Sequence, residues 1–181
     1  MALIATASQT VGPFFAIAFT RGYVTEMAPA GVHGERIAVA GRVLDGAGAP
    51  VADACLEIWQ ANAEGHYGAP GEFRGFGRVA TNAEGAFGLT TIKPGRVASH
   101  EGHPMAPHLV VSIFARGLLR RLLTRMYFPD DPANADDPVL ALVPADRRAT
   151  LIAARDGAVY RLDLRLQGDN ETVFLTFPGH Q

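Results

Sequence analysis

Six histidines, four tyrosines and a single cysteine set the range of chemistry open to this 181-residue chain. Four of the histidines, His66, His100, His103 and His108, are close enough in sequence to be considered together. His100-Glu101-Gly102-His103 has the composition of a zinc-protease motif but not its spacing. That motif needs two histidines four apart on a helix, with the glutamate as base. Here they are three apart, among glycines and prolines that do not build a helix, so a solvated loop is expected. A strand offers another arrangement, because residues i and i+2 project from one face and can ligate an ion side by side. His108 stands in the apolar strand candidate His108–Ala115, sharing its face with Val110, Ser112 and Phe114. The i+2 partner is valine, so no second imidazole is available and His108 alone reads as a hydrogen-bonded core or rim histidine. No Gly-x-Ser-x-Gly elbow, P-loop or dinucleotide fingerprint is present. No serine, nor Cys55, has a local base.

The elements that must position these residues read as β-structure. Residues 37–44 (IAVAGRVL) and 54–60 (ACLEIWQ) flank the turn signal Asp45–Pro50, and Arg78–Thr81 and Ala86–Ile92 flank Asn82-Ala83-Glu84-Gly85. The run Leu118–Phe128 follows the turn Arg116-Gly117. Leu151–Ala154 and Ala158–Leu166 flank Arg155-Asp156-Gly157, with Tyr160, Leu162, Leu164 and Leu166 alternating against charged residues. Thr172–Phe177 alternates as well. Asn62–Gly77 and the acidic, proline-rich Asp130–Pro138 are expected to be loops, and Pro144–Arg148 a short helix. Gly12-Pro13 predicts that residues 1–20 form an extended arm anchored by Phe14, Phe15 and Phe19, not a helix. Eight or more short strands with almost no helical periodicity make an all-β sandwich. One domain over residues 1–181 is expected, with at most one or two short helices.

Composition narrows the function classes. Hydrophobic content of 48% with 19% charged residues is that of an ordinary globular chain, and a net charge of −2 argues against a general nucleic-acid binder. Arg120, Arg121 and Arg125 lie on a strand-like run and read as a local or interface feature. One cysteine permits neither an intrachain disulfide nor a cysteine-based zinc site, and Cys55 is expected to be buried and inert. No stretch is long enough to span a bilayer, and the N-terminal apolar patch is too short for a signal-peptide core, so a soluble cytoplasmic protein is expected.

Five segments taken in order are more informative than any one of them. They are Ser8-Gln9-Thr10-Val11-Gly12-Pro13-Phe14-Phe15, residues 56–67 (LEIWQANAEGHY), Thr91-Ile92-Lys93-Pro94-Gly95, residues 106–114, and Thr124-Arg125-Met126-Tyr127-Phe128. Together they resemble the intradiol ring-cleavage dioxygenases, and within them the protocatechuate 3,4-dioxygenases, over nearly the whole chain. The resemblance implies a mixed-topology sandwich and a ferric ion held by two tyrosines and two histidines. It places the ligand positions at Tyr67, Val97, His108 and Val110. Two of the four are valines, which have no lone pair to donate, so no ordinary ferric site is expected here and no metal in this chain. Met105 stands where catalytic chains carry an arginine.

The family also contains heteromers of two homologous subunits, of which only the β subunit keeps Fe(III). Residues 104–108 (PMAPH) and 112–117 (SIFARG) match the iron-free α pattern better. The resemblance therefore implies a homologous β partner carrying the iron, with protocatechuate and O2 as substrates and 3-carboxy-cis,cis-muconate as product. It implies a large hetero-oligomer without nucleic acid or membrane. Thr10, Gly12, Pro13 and Arg116, with Phe14 alongside, would border the partner's substrate pocket, where a guanidinium would attract the substrate carboxylate. Two other expectations stay open. One is a self-sufficient metalloenzyme using Tyr67, His108 and one of His66, His100 or His103. The other is a β-sandwich module that binds aromatic acids.

Overall fold

The alternation of residues 37–44 becomes strand β1 (Arg36–Leu44), with Ile37, Val39 and Val43 buried and the positions between them more open. The computed structural model describes residues 6–19, 22–68, 73–98 and 102–176. Further strands follow in order: β2 (Cys55–Trp59), β3 (Phe76–Ala80), β4 (Ala86–Ile92), β5 (His108–Phe114) and β6 (Leu122–Tyr127). The series ends with β7 (Ala154–Asp156), β8 (Val159–Arg161) and β9 (Leu164–Arg165). One sheet has the order β4-β1-β8-β7, with β9 also on β1; the other runs β3-β2-β5-β6. β1 pairs in parallel with β8 and β9, while the remaining ladders are antiparallel, so the topology is mixed.

The two sheets meet through the side chains that alternation sends inward. Leu56, Ile58, Val79, Leu109, Val111, Ile113 and Met126 from one pack against Ile37, Val39, Val43, Leu89, Tyr160 and Leu164 from the other. Each fully buried aliphatic side chain contributes about 1.5–3 kcal/mol, so this interface dominates the stability. Cys55 sits on this scaffold as expected, buried at 5% exposure, and burial pushes its thiol up to about 11. No helix among the described residues is long and apolar enough to cross a membrane.

Several local expectations are corrected. Residues 13–19 are not extended: helix α1 spans Pro13–Phe19. The pre-proline restriction falls on Gly12, which lies outside the helix, and proline is well suited to a first helical position because its missing N–H has no partner there. Phe15 packs on Phe19 and Phe114, at ring-centroid distances of 5.0 and 5.6 Å, but Phe14 is 82% exposed and anchors nothing within this chain.

The loop expected at residues 130–138 instead contains a 3-10 helix, Pro132–Asp136, followed by helix α2 (Pro138–Leu142). Both start the same way, an aspartate N-cap followed by proline, and Asp131 and Asp137 accept the free backbone N–H groups. Pro144 opens a turn rather than the expected helix, and a second 3-10 helix covers Arg148–Leu151. The strand expected at residues 172–177 does not form over 172–176, and Phe177 lies outside the described residues. Val173 packs on a small second cluster and Phe174 on the main one, so the segment is gripped on both faces without a ladder.

Gly41 is where β1 is approached most closely. A Cβ there would overlap the Leu162 carbonyl and crowd the Phe87 ring. Gly41→Ala is expected to lower stability by about 3 kcal/mol, measured as a fall in the denaturant midpoint at unchanged slope.

Candidate functional site

Because Leu109, Val111 and Ile113 of β5 point into the core, His108, Val110, Ser112 and Phe114 belong to the opposite face of the sheet. Register extends that face across the neighbouring strands. Phe114 lies opposite Cys55, Ser112 opposite Glu57 and Leu123, Val110 opposite Trp59 and Arg125, and His108 opposite Tyr127. Helix α1 covers one end through Phe15 on Phe114 and through Phe19, over which the Arg78 guanidinium stacks at 4.6 Å. The segment from Ala133 to Leu151 covers the other end, packing Leu140, Val143 and Leu151 around Tyr127 and Ala106. Between the covers lie Phe76 and Trp59, their rings 4.7 Å apart and Trp59 47% exposed.

The first group of expected site residues gathers at the α1 end. The backbone N–H of Gly117 donates to Thr10 Oγ1 at 2.8 Å, which ties the segment before α1 to the β5–β6 turn carrying Arg116. Arg116 is 80% exposed and its Nε donates to the Asp53 carboxylate. Gly12 accepts the first helical bond, from Phe15 N at 3.0 Å, and Pro13 and Phe14 follow it on the exposed surface. A small groove of about 120 Å3 runs beside this tie, lined by Gln9, Val11, Leu118 and Leu119 among others.

In the second group His108 lies at the covered end, opposite Tyr127, while Tyr67 is 43% exposed. Tyr67 and Val97 are on separate loops whose backbones interlock: Gly95 N donates to Asn62 O at 2.9 Å, and Asn62 Oδ1 accepts from His66 N at 2.8 Å. Gly65 adopts φ +83°, a region that favours glycine, and a Cβ on it or on Gly95 would overlap the facing backbone. Val97 exchanges both backbone hydrogen bonds with Met105, at 3.2 and 2.7 Å. His108 is 1% exposed, and its ring Nδ1 lies 2.7 Å from the Ala106 carbonyl, which selects the tautomer with the proton on Nδ1. Burial first, and then the Arg125 charge, push this imidazole down to about 4. The Tyr67 phenol is held above its usual range by burial, against the opposing pull of Arg125.

Arg125 lies on a strand as expected, but the sequence pattern does not separate it from Arg120 and Arg121. It shares neither setting nor role with Arg120 and Arg121, which are exposed in the turn; Arg125 is 7% exposed on β6. Its NH1 group donates to Tyr127 Oη at 3.3 Å and approaches Met105 Sδ at 3.4 Å. Tyr127 in turn donates to Asp137 Oδ1 at 3.0 Å, and burial raises its phenol strongly. The usable signal was parity: positions 123, 125 and 127 share the face of His108, so Arg125 had to lie beside it. Of the other histidines considered, His66 and His103 are exposed and His100 lies outside the described residues. Among the described residues, no group of three or more His, Cys, Asp or Glu is placed to hold a metal.

A dioxygenase family model matches residues 12–177. The chain belongs to the intradiol dioxygenase family. The chain is similar to the protocatechuate 3,4-dioxygenase alpha chain of Burkholderia cepacia, at 44% identity over 93% of this chain and 95% of that one. The beta chain of the same organism is 39% identical over 77% of this chain and 67% of its own length. Among solved intradiol dioxygenases, catechol 1,2-dioxygenase from Pseudomonas arvilla C-1 superposes with a TM-score of 0.65 at 27% identity, covering 79% of this chain and 55% of that one.

The position of His108 in this family member generates a pH prediction. Its folded-state value lies below the ordinary 6.5 of an unfolded chain, so the unfolded state binds the extra proton between the two values. Stability contributed by the neutral imidazole is complete above pH 6.5 and is lost as the pH falls toward about 4. The Arg125, Tyr127 and Asp137 side chains and the Ala106 carbonyl surround the ring, and the two charges oppose each other. The loss amounts to about 3 kcal/mol. Denaturant titrations at pH 7 and pH 4 should show that much extra loss in the native chain relative to His108→Gln.

Proposed function

We propose that this chain is the iron-free α subunit of a heteromeric protocatechuate 3,4-dioxygenase acting in the cytoplasm, a single domain over residues 1–181. Its partner is a homologous β subunit that carries Fe(III), in a large closed assembly. The complex adds both atoms of O2 to protocatechuate and opens the ring between the hydroxyls, giving 3-carboxy-cis,cis-muconate. The 44% identity to an alpha chain over nearly the full length of both supports the assignment. The observation that carries the iron-free part is the chemistry at the four ligand positions. Val97 and Val110 offer no donor atom, and a guanidinium lies directly across the ladder from Val110. These residues do not fit a ferric ion, and no catalytic step is assigned to them.

The part of this chain in the reaction is then at the α1 end. Thr10, Gly12, Pro13, Phe14 and Arg116 form a wall of the partner's substrate pocket. The tie from Gly117 to Thr10 supports their acting together, because it fixes the N-terminal segment against the Arg116 turn. Arg116 holds Asp53 in the isolated chain, but an exposed ion pair contributes only about 0–1 kcal/mol, so an incoming carboxylate can replace it. A planar guanidinium receives that carboxylate through two parallel hydrogen bonds. Phe14 at 82% exposure, Ile17 at 57% and Trp59 at 47% leave apolar surface on and beside α1, suited to burial against a homologous subunit.

Co-expression with an iron-bearing homologue, followed by separation of the chains and iron analysis, tests the assignment. Iron should follow the partner, and the two chains should co-elute before separation. Stoichiometric ferric iron with tyrosinate colour in this chain alone would overturn it. In the assembled complex, Arg116→Ala should reduce kcat/KM for protocatechuate by about tenfold to a hundredfold, the loss of one charge-assisted contact, with much less effect on uncharged catechol and none on iron content. Equal losses on both substrates would remove the carboxylate role.

A further inference from the structure

Arg125 is a buried charge that the proposed function leaves unused. It is 7% exposed on β6, directly opposite Val110, and its Nε is buried with no hydrogen-bond partner among the described residues. Its NH1 group touches Met105, whose backbone is paired with that of Val97. The guanidinium therefore stands between position 110 on the strand and position 97 on the loop. On the same face His108 lies directly opposite Tyr127, with ring centroids 5.8 Å apart, and Tyr127 accepts from Arg125. Balancing charge is reached through Tyr127, which accepts from Arg125 at 3.3 Å and donates to Asp137 at 3.0 Å.

A guanidinium cannot shed its proton in a protein, so this charge is permanent. Water-poor surroundings strengthen its repulsion of any second cation. We propose that Arg125 is a resident cation beside the former ligand positions 97, 108 and 110, and that it closes this site to metal independently of the two valines. This rests on the reading of positions 67, 97, 108 and 110 as former ligands. Restoring donor atoms alone does not restore the site, because the donors would surround a fixed positive charge. In exchange, the guanidinium takes over the task of joining β6, the loop at Met105 and, through Tyr127, the start of α2.

The test compares two variants of the full chain, isolated with whatever subunit accompanies the native one. One is Val97→Tyr with Val110→His; the other adds Arg125→Gln. Iron per copy of this chain, above the native preparation, is read by elemental analysis and by the tyrosinate charge-transfer band. The double variant should gain no iron and the triple variant one ion per copy. Equal uptake by both would overturn the role of Arg125 while leaving the ligand positions standing. Uptake by neither, with both folded, would remove the ligand positions and the proposal together. Should glutamine at 125 prevent folding, Arg125→Met keeps an unbranched stem beside Met105 and Tyr127 without the charge, and the same outcomes decide.

Discussion

Asp137 makes the connection on which the covered end of the molecule depends. Its carboxylate is fully buried and accepts four hydrogen bonds, from Ala106 N, Tyr127 Oη, Val139 N and Leu140 N at 2.8–3.0 Å. Those donors belong to the approach to β5, the end of β6 and the first turn of α2. One side chain thus joins three segments that are separate in sequence. A carboxylate can be buried at tolerable cost when its lone pairs are filled in this way. The helix start contributes too, since the free N–H groups of a first turn favour a negative charge.

That connection determines what Arg125 and His108 experience. With the segment from Ala133 to Leu151 held down, the outer face of the four-stranded sheet is sealed at the β6 end. His108 then loses its hydration and stays neutral, and Arg125 relies on Tyr127 and Asp137 for company. The same face is open at Trp59 and carries α1 at its far end. The sheet face is thus sealed at one end and left partly apolar at the other.

The chain shares its scaffold with its intradiol relatives, and on the outer sheet face it holds a buried guanidinium between β5 and the Met105 loop. That guanidinium makes directional contacts outward, to a phenol and toward a thioether. The loops that carry Tyr67 and Val97 are held together by close backbone contact at Gly65 and Gly95.

Strand alternation made the sandwich legible from residues alone, since a face that must be buried repeats every second position whatever its neighbours are. The ordered family segments made the family legible. The two Asp-Pro helix starts at Asp131 and Asp137 were readable by the same local logic, but proline-rich composition concealed them. The tertiary structure alone decided the rest. In sequence, residue 125 groups with Arg120 and Arg121 as a local or interface feature, because the burial of an arginine depends on which segment lies over its strand. Helix α1 formed where an extended arm was expected, because Phe15 finds Phe114 a hundred residues away. The tie between Thr10 and Gly117 and the Asp137 junction are likewise contacts between distant segments. Periodicity reports the side on which a residue lies; packing across the fold decides what it meets there.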